Sequence, residues 1–303
     1  VVDGLSTPPV KSPPTPLTEY GVREEPSSAA AVTEANDNGG SPVTLPGPEV
    51  PHKEREENRQ RVGDGTALSD ASQTGGGSRN HHSTEHAMGM KLVSVNVSLP
   101  RKVAYEGREF ETGIFKEPVT GSVSVGTTNI DGDGQADLSV HGGPHKAVYA
   151  YPLEHYPYWS NVLGRELTSY GHFGENLTTQ GAMENEIHIG DVLKIGTTVL
   201  QVSQPRTPCF KLAMKMGRQD FPSLFLKSKR VGFYMRVLQE GTLRAGDAIT
   251  LLERDAQAMT VEQVVELMLR KDADEASLLK AASMEALSPE WKEKFRRRAL
   301  KER

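Results

Sequence analysis

Aromatic side chains are confined almost wholly to one part of this chain: of its eight Phe, eight Tyr and two Trp, only Tyr20 precedes Met90. Large rings supply much of the area a core buries. Residues 1–89 have little to replace them, running instead through "KSPPTP", "LPGPEVPHKEREENRQR" and "TGGGS". Such sequence buries too little apolar surface to offset the entropy of ordering. The expectation is a disordered extension over 1–89 and a folded protein from about Met90 to Arg303.

The upstream segment lacks the continuous apolar core of a secretory peptide, and its many acids do not suit a transit peptide. Its first methionines are Met88 and Met90, and "MKLVSVNVSLP" opens ordered-looking sequence at once. Met90 is therefore read as the natural start, with the preceding residues an extension. "NHHSTEH" is read as a solvated tract rather than a metal site. No stretch approaches the roughly 18 to 20 apolar residues of a membrane span. A net charge of −5 gives no case for direct nucleic-acid binding. The single cysteine, Cys209, cannot form an internal disulfide, which agrees with a reducing compartment. These points describe a soluble, cytoplasmic protein without a membrane partner.

From Lys91 to about Glu253 the pattern is short strands between turn residues. "KLVSVNV" alternates like a half-buried strand, and "GIFKEPVTGSVSVG" reads as strand, turn, strand. "EIHIGDVLKIGTTVLQVSQ" predicts three strands, and "LRAGDAITLLE" repeats the form around Gly246-Asp247. The fold class is mainly β, a largely antiparallel barrel over 90–254 with a few short helices. "PLEHYPYWSNVLG" and "FPSLFLKSK" read as helical, whereas the β-branched and aromatic residues of "VGFYMRVLQEG" favour strand. Residues 255–303 predict a three-helix extension. Thr260 is an N-cap, and Ser288 is another with Pro289 at the first helical position. Arg296, Arg297 and Arg298 read as a solvated basic face, or as a dock for an acidic partner.

Three strings carry more polar and glycine residues than a plain barrel needs. In "DGDGQADLSVHGGPHKAVYAYP", residues 131–152, glycines allow close backbone approach to an anion, with His141, His145 and Lys146 beside them. A Gly-rich hairpin with exposed histidines accounts for the same residues, and "HGGPH" is too tightly spaced to be a metal site. In "GHFGENLTTQG", residues 171–181, Glu175 and Asn176 suit a turn held by local hydrogen bonds. In "QPRTPCFKL", residues 204–212, Pro208 fixes the approach to Cys209 at a strand end, and Arg206 and Lys211 bring positive charge. The thiolate is the form that attacks or ligates. A small buried cysteine without a reactive role is the competing reading.

Together with "TGIFKEPV" (112–119), "IGDVLKIG" (189–196) and "GFYMRVLQEG" (232–241), these strings resemble the MOSC domain, named for the carboxy-terminal domain of molybdenum-cofactor sulfurases. The resemblance is to its YiiM-like branch, which carries a three-helix extension, and it covers the chain from Met90 nearly to the end. It implies a β-barrel and an association with the molybdenum cofactor, a pterin dithiolene bearing a phosphate. At family level only, it also implies one with pyridoxal phosphate. Cys209 is then the expected molybdenum ligand, a soft thiolate suited to that metal. The implied activity is reduction of N-hydroxylated substrates, such as 6-hydroxylaminopurine bases, to amines.

In that reading His141, His145 and Glu175 are candidate proton donors. Arg206, Lys146 and the backbone at Gly142 and Gly143 are candidates for the pterin phosphate. Asn176 and Asp137 either position cofactor or hold loops, and Phe210 and Tyr149 are read as core rather than base-stacking residues. The chain shows no flavin, nicotinamide or iron–sulfur signature, so the reductase reading requires an external donor such as a flavoprotein reductase. A cofactor or sulfur carrier without turnover is the alternative, and a structural barrel with a buried cysteine the third. The helical extension would serve a homodimer contact or reductase docking.

Overall fold

A computed structural model of the chain describes residues 89–136, 142–255 and 257–301. The expected disorder upstream of Gly89 lies outside the described residues, as do Asp137 and His141. Twelve strands are described: β1 (Lys91–Val97), β2 (Arg101–Tyr105), β3 (Arg108–Thr112), β4 (Glu117–Val119), β5 (Val123–Val125), β6 (Val148–Pro152), β7 (Leu177–Gln180), β8 (Val192–Ile195), β9 (Thr198–Pro205), β10 (Phe233–Gln239), β11 (Gly241–Leu243) and β12 (Ile249–Glu253). Eight of them form one sheet in the order β12-β8-β9-β10-β6-β7-β1-β4. Every pairing in it is antiparallel except that of β6 with β7.

The core is sheet-dominated as expected, but its ladder does not close into a complete barrel. The reason lies in β1, whose outer edge serves two neighbours. Its second half pairs with the three-residue β4, while its first half meets the turn ahead of β12 through one bridge, Lys91 to Ala248. Around that bridge Leu92 N donates to Asp247 O at 2.9 Å and Gly246 N to Leu92 O at 2.8 Å. Gly246, at φ +98°, supplies a backbone conformation that side-chain-bearing residues rarely adopt.

Six helices accompany the sheet: α1 (Tyr156–Leu163), α2 (Phe210–Met216), α3 (Phe221–Lys227), α4 (Val261–Leu269), α5 (Glu275–Ser283) and α6 (Pro289–Lys301). Among the described residues none is long and apolar enough to cross a membrane. The caps anticipated from sequence differ in outcome. Thr260 closes a full capping box, accepting from Gln263 N at 3.1 Å while Gln263 Oε1 accepts from Thr260 N at 3.0 Å. Ser288 starts α6 through its backbone, but its hydroxyl is buried and makes no hydrogen bond among the described residues. The basic face of α6 is also not all solvated: Arg298 donates to the carbonyls of Leu267, Met268 and Arg270 at the end of α4.

Two apolar clusters fill the molecule. The first joins sheet residues such as Leu193, Val202 and Met235 to helix residues Val264, Leu278, Trp291 and Phe295. The second is aromatic, with Tyr151, Trp159, Phe173, Phe221 and Phe225 packed between β6, α1 and α3. Three local expectations change. "EIHI" forms no strand, only a bridge from His188 to Thr260. The hairpin β2–β3 and the helix α2 were not legible in the sequence. Cys209 is therefore the residue before a helix, four positions beyond the end of β9.

Candidate functional site

The cleft of interest lies where β6, β9 and β10 end. Register pairs Tyr234 of β10 with Tyr149 of β6, bringing their rings to 5.1 Å, and β9 leads through Pro205 to Arg206. Pro205–Pro208 then carry the chain to Cys209, at extended backbone angles, before α2 begins. Thr112 to Ile114, Lys116, Asp133 to Ala136, Lys146, Gly174 and Asn176 complete the walls. The cleft is shallow and partly open to solvent, with a cavity volume of about 90 Å³, below the roughly 300–1,000 Å³ usual for small-molecule sites.

Arg206 is almost wholly buried, yet no carboxylate pairs with it among the described residues. Its guanidinium lies 4.7 Å above the Tyr149 ring and donates to the Phe173 carbonyl. Lys116 forms a buried ion pair with Asp133. Burial holds the Lys116 ammonium below its usual range, and Asp133 opposes that shift. Lys215, on α2, donates to Ile114 O at 2.8 Å and Gly171 O at 2.5 Å. Burial first, then Arg206, Lys116 and Arg101, lowers it to about 7. Cations thus outnumber the buried carboxylates Asp133 and Glu175, and Lys146 and Lys211 add to the rim. The Cys209 thiol is free and half-buried. The Tyr234 hydroxyl makes no hydrogen bond among the described residues, whereas Tyr149 spends its own on Val231 O at 2.8 Å.

Of the residues singled out from sequence, Cys209, Arg206, Lys146 and Asn176 meet in this cleft. Asn176 has its amide committed: Nδ2 donates to Asp133 Oδ2 at 2.9 Å and Oδ1 accepts from Tyr149 N at 3.1 Å. It holds loops rather than presenting a free group. Gly142 and Gly143 lie just outside the lining, Gly143 at φ +92° before a tight turn over Pro144–Lys146. That turn sends Lys146 to the cleft and His145 elsewhere, toward Arg236 and Lys292.

Glu175 is not a cleft acid. It is fully buried and accepts from Tyr156 Oη, from Gly171 N and Phe173 N at 2.9 Å, and from Thr178 Oγ1 at 3.1 Å. The turn-holding reading of its motif matches this geometry. Phe210 packs on Phe110 with ring centroids 4.9 Å apart, and Tyr149, although buried, forms a cleft wall. The residues missed are Lys116, Asp133, Lys215 and Tyr234. Lys116 and Asp133 lay inside motifs already noted, but their pairing has no local periodicity to announce it.

The MOSC domain family model matches residues 137–250, and that of the YiiM-like 3-alpha helix domain matches residues 259–300. The chain is 40% identical over 204 residues to the protein YflK of Bacillus subtilis (strain 168), covering 67% of this chain and 92% of that one. A Gibberella moniliformis protein named a reductase is 39% identical over 166 residues, 54% of this chain and 29% of that protein. The crystal structure of YiiM from Geobacillus stearothermophilus superposes with a TM-score of 0.60 at 37% identity, over 69% of this chain and 99% of that one.

Proposed function

The chain belongs to the MOSC family, in its YiiM-like branch, and from that membership we propose that it is a molybdenum-cofactor-dependent reductase of N-hydroxylated small molecules, hydroxylaminopurine bases among them. The N–O bond of R–NHOH is cleaved, and two protons with two electrons from an external flavoprotein reductase yield R–NH2 and water. The observation that carries this reading is one cleft holding both a free thiol, Cys209, and a buried guanidinium, Arg206, without a carboxylate partner among the described residues.

The donor set fits the cofactor. One thiol supplies one bond, so a metal held by Cys209 brings further ligands of its own, and soft dithiolene sulfurs are compatible company. A buried cation is costly without a counter-charge, which a phosphate-bearing ligand provides. When bound, the molybdenum cofactor supplies a two-electron redox centre beside the Cys209 sulfur. Arg206, Lys146 and Lys211 balance the ligand's negative charge. Asp133 and Asn176 hold the loop against Lys116 and β6, keeping the wall in shape. Tyr234 keeps its phenolic proton, since burial pushes that group above its usual range. Its hydroxyl is left to donate toward a substrate oxygen. The relative named a reductase supports a redox role.

The test is made on the full chain expressed in a host that synthesises the cofactor. Molybdenum and pterin per chain are measured for wild type, Cys209→Ser and Arg206→Gln. Cys209→Ser is expected to lose most of its metal and Arg206→Gln most of its pterin; equal metal in Cys209→Ser overturns the ligand assignment. Tyr234→Phe is expected to retain metal while turnover of 6-hydroxylaminopurine falls about a hundredfold, the size of a lost general acid. Bound cofactor without turnover in wild type replaces the enzyme with a cofactor carrier.

A further inference from the structure

Where the Pro144–Lys146 turn, β10 and the head of α6 meet, polar atoms are buried with nothing to bond. His145 Nδ1, Arg236 Nε and Ser288 Oγ are each shut off from solvent and without a hydrogen-bond partner among the described residues. Short ties hold these residues near one another. Ser288 N donates to Ser203 O at 3.1 Å, and Ser203 Oγ donates to His145 O at 2.6 Å. Arg236 donates to the carbonyl of Ala286, two residues before Ser288. At the head of α6 the first helical bond is Lys292 N to Ser288 O at 3.1 Å. The amides of Glu290 and Trp291 have no partner among the described residues. Ser288, only 2% exposed, stands where a hydroxyl would ordinarily cap one of them and does not.

The charge around these atoms is positive. Burial first, and then Arg236, Lys292 and Lys146, hold the His145 imidazole below its ordinary range. Glu290 is paired with Lys146 at 2.9 Å and largely exposed, and Arg236 has no carboxylate partner among the described residues. The positive end of the α6 dipole adds to this field. The guanidinium, two amides and, in its Nδ1–H tautomer, the imidazole are donors, and the Ser288 hydroxyl can add a fifth N–H or O–H, more than the two lone pairs of one water accept.

We propose that this junction binds a phosphate group, held by Arg236 Nε, His145 Nδ1–H, the Ser288 hydroxyl and the first amides of α6. None of these three side chains lines the cleft, and the inference does not depend on the redox reading. Arg236 does follow Tyr234, a cleft wall, by two residues on the same face of β10, a step of about 7 Å. The phosphate is therefore either free or carried by a molecule whose other end occupies the cleft, such as a nucleoside monophosphate.

Calorimetric titration of the full chain with sodium phosphate, adenosine 5′-monophosphate and adenosine, against sodium chloride, tests this. Wild type is expected to bind phosphate. Ser288→Ala and Arg236→Lys are each expected to weaken it about tenfold, the effect of losing one charge-assisted bond. In phosphate-free buffer Ser288→Ala is expected to leave Tm unchanged, because the hydroxyl makes no hydrogen bond there among the described residues. The monophosphate binding more tightly than phosphate, with adenosine inert, identifies a nucleotide source, and equal or weaker binding identifies free phosphate. No binding by wild type, or binding unchanged in both variants, overturns the site.

Discussion

Lys215 shows how much one buried group depends on its surroundings. Its two acceptors are both carbonyls, Ile114 O and Gly171 O, which suits an amine with two N–H bonds as well as an ammonium with three. Its value falls from 10.5 in the usual range to about 7, with burial the main cause. Between those limits the unfolded chain holds a proton that the folded protein has shed, so this lysine makes stability rise with pH, by at most about 1.4 kcal/mol per unit. Below the folded value its penalty is constant. Lys215→Met loses two hydrogen bonds at every pH but escapes the charge penalty. Its Tm deficit relative to wild type is therefore expected to be smallest below pH 7 and to widen toward pH 10. A deficit that stays flat with pH would sink the assignment. At this scale the sequence revealed Cys209, Arg206 and Lys146 because each stands in a short motif with distinctive neighbours. It did not reveal the Lys116–Asp133 pair or the free Tyr234 hydroxyl, since both depend on which strands lie side by side. His145 and Glu175 were plausible acids by type, but a tight turn and four donors, respectively, direct them away from the cleft.

Helices with chemical punctuation were the most legible elements. Thr260 caps α4 as its residue type and spacing foretell, its hydroxyl accepting from Gln263 N, and Asp274, a cap not read from the sequence, caps α5 by accepting from Ser277 N. Thr260→Ala is expected to cost about 1 kcal/mol in chemical denaturation; no loss would mean the box contributes nothing beyond the packing of α4. Elements without such marks were lost. The hairpin β2–β3 is largely exposed, so its sequence lacks a clear alternation. The helix α2 is only seven residues and starts without a side-chain cap, because the residue in that position is Cys209. Strand existence was readable from alternation, whereas pairing was not: "GIFKEPVTGSVSVG" contains β4 and β5, but β4 joins β1 and β5 joins β11. An apolar pattern records which face is buried and leaves open what covers it.

Across the molecule, sequence character changes after Glu253, where the three-helix extension begins, and the apolar core runs through that point. Phe295 and Leu278 belong to the same buried cluster as Leu193 and Val202. Residues 90–301 are accordingly expected to unfold in a single step, with fluorescence and far-ultraviolet dichroism coincident in denaturant. Phe295→Ala is expected to lower that one midpoint by about 3–5 kcal/mol in stability. An early, separate loss of helical signal would show that the extension is an independent domain. Polar contacts cross the same boundary, and Lys146 is the most exposed to consequence. It forms part of the cleft wall while its ammonium holds Glu290 in the first turn of the last helix. The last helix and the cleft wall are thus joined through one ion pair, so that a displacement of Glu290 is felt by a charge that lines the cleft.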